Sequence, residues 1–211
     1  MRSENVAVAP SARNSQFATR TRHPLVMGIL NVTPDSFSDG GLWLDPSGAL
    51  ERAGQMVAQG AGVIDVGPES TRPGSDPVSG EEQIARAVPV IRAVREAHPQ
   101  IVISIDTRLA SVAQAAMDAG ADVVNDISAL RDDPALAGLI AQRRAGVVLM
   151  HMKGQPQTMQ SAGGGPTYDD VVTEVKSFLA QRIEDVDAKT LSALLDAAAL
   201  QIGSATTAEC V

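Results

Sequence analysis

Residues 101–127 read Ile101-Val-Ile-Ser-Ile-Asp-Thr-Arg-Leu-Ala-Ser-Val-Ala-Gln-Ala-Ala-Met-Asp-Ala-Gly-Ala-Asp-Val-Val-Asn-Asp-Ile127. A run rich in Val and Ile, Ile101 to Asp106, gives way to an Ala-rich stretch of helical periodicity, Ala110 to Ala119, and then to a second apolar run, Asp122 to Ile127. The order strand, helix, strand defines a βα unit whose second strand returns parallel to the first. The same alternation extends both ways. Strands are expected at Leu25 to Val32, Val63 to Gly67 and Val147 to Met152, and helices near Pro46 to Gln59, Glu81 to Ala97 and Pro134 to Arg143. Asp45-Pro46 reads as an N-cap and first-turn pair, and Ser79 with Glu82 as a capping box. The near-continuous apolar character of the strands predicts burial on both faces, as a parallel sheet requires. Five strands leave two architectures open: an open doubly wound sheet, or part of a (β/α)8 TIM barrel, which typically has about 250 residues and eight strands.

Past Met152 the chain changes character. A glycine-rich loop at Gly163 to Gly165 precedes an expected helix from Tyr168 to about Ile183, and no sixth strand follows. Residues 167–211 hold Lys176, Arg182 and Lys189 against eight acids, a local charge of −5, and read as an acidic helix fraying into Ala, Thr and Ser.

The 211 residues carry 17 Lys and Arg against 25 Asp and Glu, a net charge of −8, which argues against nucleic acid as a partner. Hydrophobic residues at 44% and charged residues at 20% match ordinary globular usage, so one soluble domain is expected. The single cysteine, Cys210, forms no internal disulfide, and no apolar run is long enough to span a bilayer. The first 23 residues carry four arginines and one glutamate without an apolar core. They read as a disordered leader rather than a secretory signal, and a cytoplasmic address follows.

In parallel α/β folds the working residues sit at the C-terminal ends of strands and in the loops beyond them. Here the first strand ends at Asn31 and runs into Thr33, Pro34, Asp35, Ser36, Phe37, Ser38, Asp39, Gly40 and Gly41. The second ends in Asp65 and Gly67 and delivers Glu69, Ser70, Thr71, Arg72, Pro73 and Gly74. The third ends Ser104-Ile-Asp106-Thr107-Arg108, the fourth ends Asn125-Asp126, and the fifth places His151 between two methionines. A loop of Ser, Asp and Gly is ordinarily a turn, and a strand-end carboxylate is ordinarily solvated or caps the next helix. Four of the five strands ending in Asn or Asp is more than turns require, and together these residues outline one polar mouth. Arg72, beside Thr71 on a glycine-flanked loop, suits bidentate capture of an oxyanion. His151 reads as structural or peripheral, the methionines as core or pocket lining, and Asp133 as a solvent-exposed aspartate.

This inventory offers acceptors for a polar heterocycle, with an arginine and an asparagine for a phosphate and its metal. It shows no nucleophile with an evident base and no thiolate or histidine cluster for zinc. Any divalent ion would be a hard one such as Mg²⁺, held by oxygens and by the substrate's own phosphates. A substitution that expels diphosphate fits.

The stretch Met27-Gly-Ile-Leu-Asn-Val-Thr-Pro-Asp-Ser-Phe-Ser-Asp-Gly-Gly41 resembles the signature of the dihydropteroate synthase family. The likeness continues through Glu69-Ser-Thr-Arg-Pro-Gly74, Ser104-Ile-Asp-Thr107, Val124-Asn-Asp-Ile127 and Leu149-Met-His-Met152, over roughly residues 25 to 183, with Pro68 standing where the family commonly has glycine or alanine. The resemblance implies a (β/α)8 barrel of the pterin-binding type. It implies condensation of 6-hydroxymethyl-7,8-dihydropterin diphosphate with p-aminobenzoate to 7,8-dihydropteroate and diphosphate, in folate biosynthesis. By motif, Asn31 would coordinate Mg²⁺ and the diphosphate, with Thr71 and Arg72 beside it. Asp106 and Asn125 would bind the amino and ring-nitrogen edge of the pterin. Pro34 and Phe37 would flank p-aminobenzoate, and Asp39 would stabilise charge as the C–O bond breaks.

The family's later motifs, including a pterin-binding aspartate, a Ser-Arg-Lys strand end and a final Arg and His, do not occur after Ile183. The expectation is therefore an incomplete barrel of about five strands over residues 24–183, followed by a non-family acidic tail over 184–211 and impaired in turnover. The family's homodimer, built on later helices, is not expected. Two alternatives stay open beside a synthase: a non-catalytic remnant or weak pterin-binding module, and a pterin-binding methyltransferase domain, against which the serine-rich first loop speaks.

Overall fold

The computed structural model describes residues 25–33, 46–69, 77–153 and 167–184. Five strands and five helices alternate in it: β1 (Met27–Asn31), α1 (Pro46–Ala58), β2 (Val63–Gly67), α2 (Gly80–Ala97), β3 (Val102–Asp106), α3 (Ala110–Ala119), β4 (Val123–Asp126), α4 (Pro134–Arg143), β5 (Gly146–Leu149) and α5 (Val171–Glu184). Every neighbouring pair is parallel, and the order in the sheet is the order in the chain, β1-β2-β3-β4-β5.

That order decides between the two architectures. A doubly wound sheet reverses direction at a switch point and carries helices on both faces. Here the order never reverses. The outward strand residues Leu30, Ile64, Val66, Ile103, Ile105, Val124, Val147 and Leu149 join one core with the helix residues Ala53, Ala87, Ile91, Ala113, Ala116, Leu136 and Ile140. The opposite face gathers Val63, Val102, Val123 and Val148 with Leu25 and Met27, and no described helix packs there. One helix-covered face and one inner face, with strands in sequential order, is the wall of a (β/α)8 barrel.

Local chemistry explains most boundaries. Ser79 Oγ accepts from the Glu82 amide at 3.2 Å, so the N-cap forms, but the Glu82 carboxylate takes Arg86 at 2.9 Å rather than completing the box. Gly120 closes α3 at φ +118°, a left-handed position where a Cβ would also meet Arg95 Cγ at 3.0 Å. Helix α5 starts at Val171 rather than Tyr168. The Asp170 carboxylate accepts from the Val172 and Thr173 amides at 3.1 and 3.2 Å and fixes the entry there. Strand β5 stops at Leu149, which leaves Met150, His151 and Met152 in the connection beyond it. Asp45, the loop at Gly163 to Gly165, the expected leader and the expected tail beyond Glu184 lie outside the described residues.

At the N-terminal end of the sheet, Arg95 donates to the carbonyls of Pro99, Ile101 and Gly120 and pairs with Asp122, whose carboxylate also accepts from the Ile103 amide. This ties β3 and β4 together below their apolar layer and away from the mouth. Among the described residues no helix is long and apolar enough to cross a membrane.

Candidate functional site

Side chains alternate along a strand, so the inner face can be read by register. Its floor is Met27, Val63 and Val102, which are paired in register. Above it the row turns polar at Asp65 and Ser104, opposite each other on β2 and β3. Higher still lie Asn31 opposite Gly67, and Asp106 opposite Asn125. Apolar floor and polar rim together form the concave wall of a pocket that opens at the strands' C-terminal ends.

The structure brings together three of the residues singled out in the sequence, Asn31, Asp106 and Asn125, at one end of one face. Asn31 is exposed, and its Oδ1 lies 3.1 Å from where a Cβ on Gly67 would stand, so the glycine makes room for the carboxamide. Asn125 is only 9% exposed, and its Nδ2 donates to Asp65 Oδ2 at 3.0 Å, reaching from β4 to β2 across Ser104. Asp65 is 3% exposed, although it lies two residues short of its strand end rather than at it. Three enclosed polar atoms of this group meet no hydrogen-bonding partner: Asp65 Oδ1, Ser104 Oγ and Asn125 Oδ1.

Burial and crowding of carboxylates set the electrostatics. Burial first, and then the neighbouring Asp65, Asp126 and Glu69 carboxylates, push Asp106 up to about 7, with Arg108 acting against them. Burial likewise raises Asp65, opposed by the nearby Ser104 hydroxyl and the Asn125 amide; the hydroxyl lies near without the geometry of a formed hydrogen bond. A buried, acceptor-rich wall with unmet acceptors suits a neutral ligand edge that presents N–H donors.

Beside this wall, Glu69 Oε1 accepts from the Val78 amide at 3.0 Å, closing the root of the β2–α2 connection, and its Oε2 takes Gln83 at 3.3 Å and Arg108 at 3.4 Å. Gln83 Oε1 in turn accepts from Thr107 Oγ1 at 3.1 Å. The buried glutamine on α2 thereby couples the connections after β2 and β3. The sequence placed Asp65 at the polar mouth, quoted Glu69 and Ser104 without a role of their own, and did not single out Gln83. Alternation along β2 and β3 was the available signal for Asp65 and Ser104.

Three expectations need correction. The polar mouth does not include Asp126. As the residue after Asn125 it faces the helices, where its carboxylate accepts from the Ser128 and Leu130 amides, both at 2.7 Å. Asp133 is not a free surface aspartate, because it caps α4 through the Ala135 amide at 2.9 Å and also accepts from the Ala110 amide at 2.8 Å. Asp65 belongs to the wall of the pocket and not to its rim. His151 packs as a structural residue, edge-on to Phe178 with ring centres 4.9 Å apart and tilted against Tyr168 at 5.8 Å. Pro34, Phe37, Asp39, Thr71 and Arg72 lie outside the described residues.

A parallel barrel wall whose inner face ends in a carboxylate, a carboxamide and unmet acceptors places the chain in the class of α/β barrels whose working residues stand at the C-terminal ends of the strands. The chain belongs to the family of pterin binding enzymes, whose model matches residues 27–208. It is 46% identical over 159 residues to the dihydropteroate synthase of Synechocystis, covering 75% of this chain and 54% of that protein. A structure of Xanthomonas albilineans dihydropteroate synthase with 4-aminobenzoic acid superposes with TM-score 0.67 at 42% identity, covering 81% of this chain and 58% of that one. A Burkholderia cenocepacia dihydropteroate synthase complexed with 7,8-dihydropteroate gives TM-score 0.65 at 44% identity, covering 78% and 53%. The chain spans about half the length of the curated relatives it matches.

Proposed function

We propose that this chain carries the pterin-binding wall of a dihydropteroate synthase, which joins 6-hydroxymethyl-7,8-dihydropterin diphosphate to p-aminobenzoate and releases diphosphate. The observation that carries the reading is the pairing of Asp106 with Asn125 in register on the inner face, with Asn125 Oδ1 buried and unpartnered. A 2-amino-4-oxo pterin offers an amine and a ring N–H along one edge, which are the donors these acceptors lack. The named ligands of the Xanthomonas and Burkholderia relatives support the same substrate and product.

In this reading Asp106, ionised, accepts from the pterin's amine and ring nitrogen, and Asn125 fixes the ring beside it. The p-aminobenzoate nitrogen attacks the exocyclic methylene, the C–O bond breaks with its electron pair leaving on diphosphate, and the new aminium loses its proton. By their motifs, Thr71 and Arg72 would receive the diphosphate, Pro34 and Phe37 would serve the p-aminobenzoate ring, and Asp39 would stabilise the charge that develops at the methylene. Asn31 fits a hard cation as an exposed, neutral oxygen donor at the strand end. Asn31 would be the residue of this wall to hold a magnesium ion, which would supply charge neutralisation for the leaving diphosphate.

Calorimetric titration of the 211-residue chain with 6-hydroxymethylpterin tests the reading. Asp106→Ala should weaken binding by about a hundredfold, since it leaves a buried donor edge unpaired. Asp118→Ala, whose carboxylate makes only an exposed pair with Arg143, should bind as the wild type does. Equal effects of the two substitutions would place the ligand elsewhere.

A further inference from the structure

Resting on that reading, we propose that Asp65 is a positioning residue: it holds the Asn125 carboxamide in the one orientation that turns an acceptor, rather than a donor, toward the pterin edge. Geometry supplies the argument. A side-chain amide can be rotated end for end with little change of shape, and only its hydrogen bonds decide which end is which. On β2, the Asp65 carboxylate accepts from Asn125 Nδ2 at 3.0 Å. Reversing the amide would set two oxygens against each other in an enclosed site, where an unpaired acceptor is most costly. Asn125 Oδ1 is thereby committed to the other side, and it has no partner there.

A carboxylate–amide pair serving packing alone would close its own hydrogen bonds, because buried polar groups are nearly always satisfied. This one does not. Asp65 Oδ1, Asn125 Oδ1 and the hydroxyl of the fully buried Ser104 all remain open. Ser104 stands in register with Asp65, on the strand between the two partners. The unmet atoms therefore belong to one patch of the inner face, beside Asp106 at Asn125 and one step below it at Ser104 and Asp65. Asp65 touches neither reacting atom nor leaving group in this account; its action passes through Asn125.

Two measurements test the role. In the wild-type chain, the Asn125 side-chain NH₂ should give two resolved, slowly exchanging NMR signals, one of them shifted by its bond to the carboxylate. Asp65→Ala should abolish that shift. In ligand titrations the wild type should prefer 6-hydroxymethylpterin over 6-hydroxymethyllumazine, in which an oxygen replaces the 2-amino donor, by about tenfold or more. Asp65→Asn, equal in shape but able to donate, frees the amide to turn and should bring the two ligands within about threefold. Wild-type binding of pterin together with full discrimination in Asp65→Asn overturns the role of Asp65 and leaves the proposed function standing. Failure of the wild type to bind pterin overturns the proposed function and the ligand edge assigned here with it. Should Asp65→Asn fail to fold, the wild-type spectrum still decides, since averaged, unprotected Asn125 signals overturn the proposal.

Discussion

Asp106 and Asp126 end the neighbouring strands β3 and β4 and do different work: one serves the pocket and the other the backbone. With Asp106 poised at about 7, only a minority of free protein holds the carboxylate at pH 6 and most holds it at pH 8. If the carboxylate is the binding form, affinity for a neutral pterin should rise by about tenfold over that interval, in proportion to the competent fraction. Asp106→Asn should bind weakly and without this slope, and titrations at the two pH values check both points. Asp126, fully buried, holds the turn in which Ala129 and Leu130 adopt φ +53° and +62°, a left-handed conformation unfavourable for side chains with a Cβ. Its removal strands the Ser128 and Leu130 amides as well as releasing that strain. Asp126→Ala should cost about 3 kcal/mol in urea unfolding, against less than about 0.5 kcal/mol for the exposed Asp118→Ala.

At the scale of elements, the connections carry as much design as the strands. Asp133 serves two helices at once, capping α4 and taking the first amide of α3, so Asp133→Ala should destabilise by about 1–2 kcal/mol. Asp132, next to it, is exposed and pairs with Arg108, and its alanine variant should change stability by less than about 1 kcal/mol. Thermal unfolding of the two variants separates them. Helix α5 is seated by Phe178, which meets His151 edge-on and lies under the Arg131 guanidinium at 5.1 Å, and by Arg182, whose Nε donates to Ala129 O at 2.9 Å. The strained turn after β4 is thus held from within by Asp126 and from outside by α5.

For the molecule as a whole, three carboxyls, those of the buried Asp65 and Asp126 and of the half-buried Asp106, all titrate above their ordinary value, with desolvation as the leading cause. A folded-state pKa above the unfolded one means that folding takes up protons, so the contribution to stability is complete below about pH 4 and is lost as pH rises through the folded value. For Asp106 that window runs from about 4 to about 7. The full shift is worth at most about 4 kcal/mol, and contact of Asp106 with solvent cuts it to about half. The melting temperature of the unliganded chain should therefore fall by several degrees between pH 5 and pH 8. Asp106→Asn should flatten that fall, and an unchanged slope in this variant would assign the effect to other groups. The arrangement trades stability for a ready acceptor wall, a common condition of binding sites.

The sequence by itself determined the βα alternation, because strands buried on both faces must be nearly all apolar and helices packed on one face must repeat near every 3.6 residues. Helices α3 and α4 were legible to the residue, since Gly120 and the Asp133-Pro134 pair mark local stops and starts. The motifs around Asn31, Asp106 and Asn125 also placed the candidate site at strand ends. Periodicity left the barrel and the doubly wound sheet both open; the family motifs implied the barrel, and strand order establishes it, because pairing depends on contacts far apart in sequence that no local pattern encodes. Tertiary structure alone decided two things. The neighbours Asn125 and Asp126 were divided between pocket and helix layer by the pleat, so two acids or amides side by side in the chain do opposite work. Asp65 was joined to Asn125 across a third strand, 60 residues away, and a hydrogen bond between side chains at that separation exists only once register and curvature have brought both to one inner face.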